Sequence, residues 1–254
     1  DEVGKQLDFV AERLARQSGD EMYEHLSNAS KHQLVDRRGR FFLAQPLPIA
    51  AYLGARRLDL LRAGTIIQFI DAAPQELVLA FLGQWRYFDL TRTAVAVADR
   101  LLARDGLFGS LDVLNSEFGA KCLDALSHVA PDTATKTVLR VFGELPLDKL
   151  RDTSKARRNL VRTLERLVFR GQSFHVAARL LMRLAAVETE AWSNNATGVF
   201  KQLFQLQLSG TEVEPAERFA ILDEGIALGD EQIIAVCIEA LSMSLSRRHF
   251  SRSG

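Results

Sequence analysis

Residues 214–245, "EPAERFAILDEGIALGDEQIIAVCIEALSMSL", set the character of the whole chain. Pro215 suits the first turn of a helix, where its missing N–H costs nothing. Phe219, Leu222 and Ile226 follow at helical spacing, and Gly229 supplies the stop. Asp230 can cap a second helix at once, with Ile234, Cys237, Leu241 and Leu245 as its apolar positions. Two helices joined by a Gly-Asp corner read as an antiparallel pair. Nothing in the stretch alternates apolar and polar residues with the period of two that a half-buried strand would show.

The same punctuation recurs upstream. Ser173 opens a helix after Gly171, with Ala177, Leu180, Leu181 and Leu184 on one face. Pro131 fits the first turn of another that halts near Gly143, Ser116 can cap one carrying Phe118, Cys122, Leu126 and Val129, and Thr91 can cap one that stops near Gly106. The last starts fall near residues 173, 195, 215 and 230, so alternate starts are about 35–42 residues apart. That period suits stacked antiparallel helix pairs, in which each pair buries its apolar face on the next. A compact irregular bundle is the other arrangement compatible with it. Residues 59–245 are therefore expected to form an α-helical repeat domain.

Residues 1–58 hold the only strand signal. A helix over Val3–Gln17, with Leu7, Val10 and Leu14 in register, stops at Gly19. Asp20 caps a second, through Lys31, carrying Met22, Tyr23 and Leu26. In "QLVDRRGRFFLAQP" (33–46), Leu34–Val35 and Arg40–Ala44 read as two short strands around Arg37-Arg38-Gly39, the glycine serving a tight turn. Pro46 and Pro48 end the hairpin, since neither donates to a ladder. Two helices and a hairpin are the parts of a winged helix. The expected class is thus mainly α: a small winged-helix-like unit at 1–58, an α-solenoid or irregular helical-repeat array at 59–245, and a flexible tail at 246–254.

Composition narrows the function. With 254 residues, 47% hydrophobic and 25% charged, the chain has the make-up of a soluble globular protein with ample core. No apolar run approaches the ~18 residues that span a bilayer, and no secretory signal is present. Cys122 and Cys237 lie inside apolar helical patterns, which reads as two buried, reduced thiols and points to the cytoplasm. The first residue, Asp1, and the last stretch, "SRRHFSRSG", suggest a piece of a longer polypeptide. Net charge is zero but uneven: residues 147–170 carry eight Lys/Arg against three Asp/Glu, and residues 183–244 carry three against ten. Such polarity either steers a partner or docks two halves of one protein, or it marks solvated helix faces, the simpler reading.

Catalytic signatures are missing. There is no G-x-x-x-x-G-K-[ST], no G-x-G-x-x-G after a strand and no G-x-S-x-G elbow. The five histidines include no H-x-x-x-H pair, and neither cysteine has a neighbour at metal-ligand spacing. No enzyme, cofactor or metal is expected on these grounds. For DNA, the basic residues of interest are Arg37, Arg38 and Arg40 in the wing, which could clasp phosphates. Yet residues 1–59 hold nine basic and nine acidic residues, and the second helix itself carries Asp20, Glu21 and Glu24. Those arginines read better as contacts to neighbouring domains, and nucleic acid as a poor partner.

One segment resists the helical grammar. In "AWSNNATGVFKQLFQLQLSGT" (191–211), Ser193, Asn194 or Asn195 can cap the helix that carries Phe200, Leu203 and Phe204 and stops at Gly210. One asparagine is explained by capping and the other is not. Trp192 reads first as packing in a corner between helices, with a partner or domain contact as the alternative. Trp192, Asn194 and Asn195 are the candidate partner-binding residues.

Two stretches add a resemblance. "LVDRRGRFFLAQPLPIAAYLGARRL" (34–58) resembles the end of the winged-helix domain of bacterial STAND NTPases, where a hairpin leads through a proline-rich joint into helices. "LERLVFRGQSFHVAARLLMRLAAVETEAWSNNATGVFKQLFQLQLSGTEVEPAERFAIL" (164–222) is similar to a helical stretch downstream in some of those proteins, including antiviral-defence types. The second match is the more specific, because "WSNNATGVFKQLF" is not generic helix. The family's nucleotide-binding motifs would lie upstream, so ATPase activity is not carried over. What the resemblance implies is a regulatory and sensor segment. It would bind a protein partner or neighbouring domains of the same polypeptide through helical repeats, couple this to an NTPase module, and oligomerise through its parent. A generic α-solenoid scaffold and a winged-helix DNA-binding regulator are the alternatives.

Overall fold

The computed structural model describes residues 2–38, 41–88, 91–206 and 209–245. Among them the chain is helical apart from one two-stranded antiparallel sheet, as the sequence leads one to expect. It divides into two compact units: Asp1–Leu101 with His128–Ala130, and Leu102–Ser127 with Pro131–Gly254.

In the first unit, α1 (Glu2–Val10) runs on as a π-helical turn, Ala11–Ala15, and ends where Arg16 takes a left-handed φ of 58°. Gly19 is therefore not its stop but the first residue of α2 (Gly19–Lys31). The cap of α2 is Ser18 and not Asp20. The Ser18 hydroxyl accepts from the Glu21 N–H, and the Glu21 carboxylate accepts from the Ser18 N–H. Asp20 is left in the first turn, where the helix dipole favours a carboxylate. Strands β1 (Val35–Arg38) and β2 (Phe41–Ala44) pair from Val35↔Ala44 to Arg38↔Phe41. Arg37 and Arg38 thus belong to β1 and not to the turn, while Leu34 lies outside the ladder. Gly39, expected in the turn, and Arg40, expected to open the second strand, fall outside the described residues.

Pro46 stands at the N-cap of α3 (Leu47–Asp59) and Pro48 in its first turn, so the prolines both close the hairpin and open the next helix. Then come α4 (Ala63–Ala72), α5 (Gln75–Leu82) and α6 (Arg92–Leu102). The core of this unit is a run of ring contacts: Phe9 to Phe69 at 5.4 Å, Phe69 to Phe81 at 5.2 Å and Phe81 to Trp85 at 5.8 Å. The hairpin shares its compact unit with α3, α4 and α5.

The second unit holds α7 (Leu111–Leu114), α8 (Glu117–Leu126), α9 (Pro131–Phe142), α10 (Leu147–Arg151) and α11 (Ser154–Leu167). They are followed by α12 (Gly171–Ala186), α13 (Ala196–Gln202), α14 (Pro215–Ala227) and α15 (Glu231–Ser244). Several ends follow the expected chemistry. The Ser116 hydroxyl accepts from Gly119 N at 3.0 Å, Gly229 turns with φ 72°, and the Asp230 carboxylate accepts from Gln232 N and Ile233 N. Ser173 lies inside the first turn of α12 instead of ahead of it, and its hydroxyl donates to the Leu167 carbonyl.

Helices α8, α11 and α13 start at residues 117, 154 and 196, that is 37 and then 42 residues apart. Their partners α9, α12 and α14 start at 131, 171 and 215, which is 40 and then 44. Side-chain bonds repeat that interval. Arg166 reaches back 42 residues to Asp124, Arg179 pairs with Glu224 across 45, and Lys201 pairs with Glu239 across 38. Arg140 donates to the carbonyls of Leu102 and Gly109, and Arg183, one interval later, to those of Gly143 and Leu145. Carbonyls left unpaired where one pair ends are thus taken up by a guanidinium from the next. This is a helical array built from neighbour-to-neighbour contacts.

The inward face of α15 differs from the sequence expectation. Its buried row is Ile233, Val236, Cys237, Ala240 and Ser244, whereas Leu241 and Leu245 are exposed. In α14 the buried row is Arg218, Ile221, Leu222 and Gly225, and Ile226 is exposed. Val129 lies past the end of α8.

Candidate recognition surface around Trp192

Between α12 and α13 the chain crosses from Val187 to Asn195 without helix, and a buried ion pair fixes its path. Arg157 of α11 is wholly buried. Its Nε donates to Glu188 Oε1 at 3.0 Å, Nη1 to the Leu150 carbonyl at 3.2 Å, and Nη2 to the Leu184 and Val187 carbonyls at 2.6 and 2.9 Å. Glu188 in turn accepts from the backbone N–H groups of Thr189, Glu190 and Thr197. One guanidinium and one carboxylate therefore satisfy three carbonyls and three amides at the junction of α10, α11, α12 and α13. A buried charge survives only with such full pairing.

The solvated-face reading of residues 147–170 fails at Arg157, and a signal for it existed. Arg157, Leu160, Val161 and Leu164 fall at i, i+3, i+4 and i+7 of α11, which places Arg157 in the apolar row. Arg218 heads the same pattern in α14, with Ile221, Leu222 and Gly225. Its Nη1 donates to the carbonyls of Leu203 and Gln205 at 2.6 and 2.8 Å, and burial lowers its pKa while Glu214 works the other way.

Of the three capping candidates, Asn195 is the N-cap of α13. Its Oδ1 accepts from Gly198 N at 2.9 Å, and its Nδ2 donates to the Glu190 carbonyl at 2.6 Å. Gly198 allows the tight approach, because a Cβ there would run into the Ser193 carbonyl oxygen. Asn194 is half-buried. Trp192 is 39% exposed, with the Arg158 guanidinium 5.3 Å above its ring. The loop that the Arg157–Glu188 pair bonds in place thus presents an indole to solvent with a cation of α11 over it, a pairing suited to flat apolar or carboxylate-bearing protein surfaces. Lys155 and Arg162 extend this face along α11, both exposed.

Asn195→Ala is expected to cost ~1 kcal/mol of stability as a lost cap. Trp192→Ala should stay within ~0.5 kcal/mol, as an exposed side chain does. Urea unfolding followed by far-UV circular dichroism measures both. A larger loss for Trp192→Ala than for Asn195→Ala would move the indole into the core.

The arginines of the hairpin lie in the other unit. Arg37 projects from β1 with its guanidinium 5.7 Å over the Phe42 ring and Nη1 3.5 Å from the Tyr23 hydroxyl, while Tyr23 and Phe42 meet edge-on at 5.8 Å. Arg38 follows in β1, and Arg40 lies outside the described residues. The first turn of α2 carries Asp20 and Glu21, which a phosphate backbone repels.

Both cysteines are free and buried. Burial pushes the Cys122 thiol up to about 12 and raises that of Cys237, which donates to the Met182 sulfur at 3.7 Å. Such thiols are protonated at neutral pH and poor nucleophiles. A hollow of about 170 Å³ between α9 and α12 is lined by Arg179, Arg183 and Glu144, but Arg179 is bound to Glu224 and Arg183 to two carbonyls. Among the described residues no group of His, Cys, Asp and Glu is arranged to hold a metal ion, and no helix is long and apolar enough to cross a membrane. The chain matches no family model, and no curated protein or solved structure compared with it is similar.

Proposed function

We propose that this chain is a non-catalytic regulatory and sensor segment of a larger bacterial STAND-like signalling protein of the antiviral-defence kind. Its helical array would bind a protein partner or neighbouring domains in the cytoplasm and couple that binding to an NTPase module, with oligomerisation through the parent. The observation that carries the reading is the array with its interval of about forty residues, in which Arg158 of α11 lies over the exposed Trp192 of the loop before α13. The hairpin running through Pro46 into α3 supports the winged-helix part of it. Coupling needs no chemistry from these residues: a partner that favours one arrangement of the parent shifts its population.

The test lies in the parent gene and its product. A G-x-x-x-x-G-K-[ST] module encoded ahead of Asp1 is expected, and in the purified parent Trp192→Ala with Arg158→Ala should lower partner-stimulated ATP hydrolysis without changing the basal rate. An upstream sequence without that module overturns the STAND reading and leaves a plain helical-repeat scaffold.

A further inference from the structure

α15 is apolar on two faces. Besides the buried row there is a second one, Ile234, Ile238, Leu241 and Leu245, at i, i+4, i+7 and i+11. Ile234 is half-buried, but Ile238 is 58%, Leu241 46% and Leu245 83% exposed. Ile226 and Leu228, where α14 ends, are exposed beside the Gly229 corner. A helix apolar on two faces belongs between neighbours. α13, the equivalent helix one interval earlier, packs against α11 as well as against α12 and α15. The free face of α15 has the composition of a covered one.

Charge says what covers it. Residues 219–245 contain Asp223, Glu224, Asp230, Glu231 and Glu239 but no Lys or Arg; cations resume only at Arg247, outside the described residues. Glu224 is taken by Arg179, Asp230 by its cap and Glu239 by Lys201, while Asp223 and Glu231 stay exposed. A second copy laid face to face would set these carboxylates against one another, whereas a cationic rim would neutralise them.

We infer that the outer face of α14 and α15 is a docking surface for an amphipathic α-helix whose apolar stripe is flanked by lysine or arginine. The stripe on α15 is roughly 16 Å long, so about three to four turns of a partner helix fill it. The inference goes beyond the functional reading above and stands without it, since a missing upstream NTPase would leave this face unchanged.

The test uses the whole chain and a labelled synthetic peptide of about four turns, with leucine at heptad positions a and d and lysine elsewhere. Fluorescence anisotropy is expected to give a Kd on the order of 10 µM, weakening with salt. The same peptide with glutamate for lysine should bind at least tenfold more weakly. Ile238→Ser with Leu245→Ser should weaken the lysine peptide about tenfold, with an unchanged circular dichroism melt because both side chains are exposed; Leu241→Gln serves if that pair does not fold. Glu231→Lys should narrow the gap between the two peptides. The inference is overturned if neither peptide binds, if the glutamate peptide binds equally, or if the serine variants bind as the parent chain does. It also falls if the chain is a dimer that Ile238→Ser dissociates, for then a second copy is the occupant.

Discussion

Arg157→Met is expected to lower the unfolding free energy by about 3–5 kcal/mol, the usual cost of removing one partner of a buried ion pair. Methionine fills much of the arginine's volume, so little of the loss comes from a cavity. The loss comes from what stays behind. The carbonyls of Leu150, Leu184 and Val187 lose their donor inside the protein, and Glu188 keeps three amides but no counter-charge. Glu188→Gln should cost less, ~1–3 kcal/mol, because Arg157 keeps its three carbonyls and the amide oxygen still accepts from its Nε, although the guanidinium loses its counter-charge and the Thr197 N–H loses an acceptor. Urea unfolding of the three proteins provides the comparison. A loss below ~1 kcal/mol for Arg157→Met, or a larger one for Glu188→Gln, would refute the account of a guanidinium tying three carbonyls.

Phe200→Ala is expected to cost about 3–5 kcal/mol as well, by a different route. Phe200 is fully buried in α13, its ring 5.0 Å from that of Phe204, which in turn lies 5.9 Å from Phe219 of α14. α13 has only seven residues, too short to be stable without packing. Truncating its main anchor leaves a cavity and removes the reason for the helix to stay folded against α12 and α15. Phe200→Leu, which keeps much of the volume, should lose well under half as much. Thermal melts followed by far-UV circular dichroism measure both losses. Equal losses for the alanine and leucine variants would mean that ring geometry, and not volume, holds α13.

These two residues also mark what could and could not be read beforehand. Phe200 was legible because it obeys the helical period in a stretch opened by Asn195. Caps such as Ser116 and Asp230, and stops such as Gly229, were legible because each answers a local need of the backbone at a helix end. Ser18 and Asp20 illustrate the limit. Both residue types cap well, and the choice turned on Glu21 lying three residues after Ser18. Arg157 was hidden in a run of eight cations, where formal charge suggests water and only its row-mates Leu160, Val161 and Leu164 say otherwise. On α15 periodicity offered two apolar faces, Ile233–Val236–Cys237–Ala240 and Ile234–Ile238–Leu241–Leu245, and spacing alone does not say which one a neighbour covers. β1 runs three residues beyond the expected Leu34–Val35, because it carries Asp36, Arg37 and Arg38, residues with little intrinsic preference for strands, whereas the end of β2 at Ala44 is as expected.

The arginine and carboxylate bonds that recur at intervals of about forty residues also bear on how the second unit comes to exist. Each closes a loop of nearly the same length, 42 residues for Arg166 to Asp124, 45 for Arg179 to Glu224 and 38 for Lys201 to Glu239. Closing a loop costs entropy that grows only with the logarithm of its length, so each of these closures costs about the same. Assembly then needs no single long-range encounter. A nucleus at any helix pair can grow by one pair at a time towards either end, at rates typical of chains with short-range contacts.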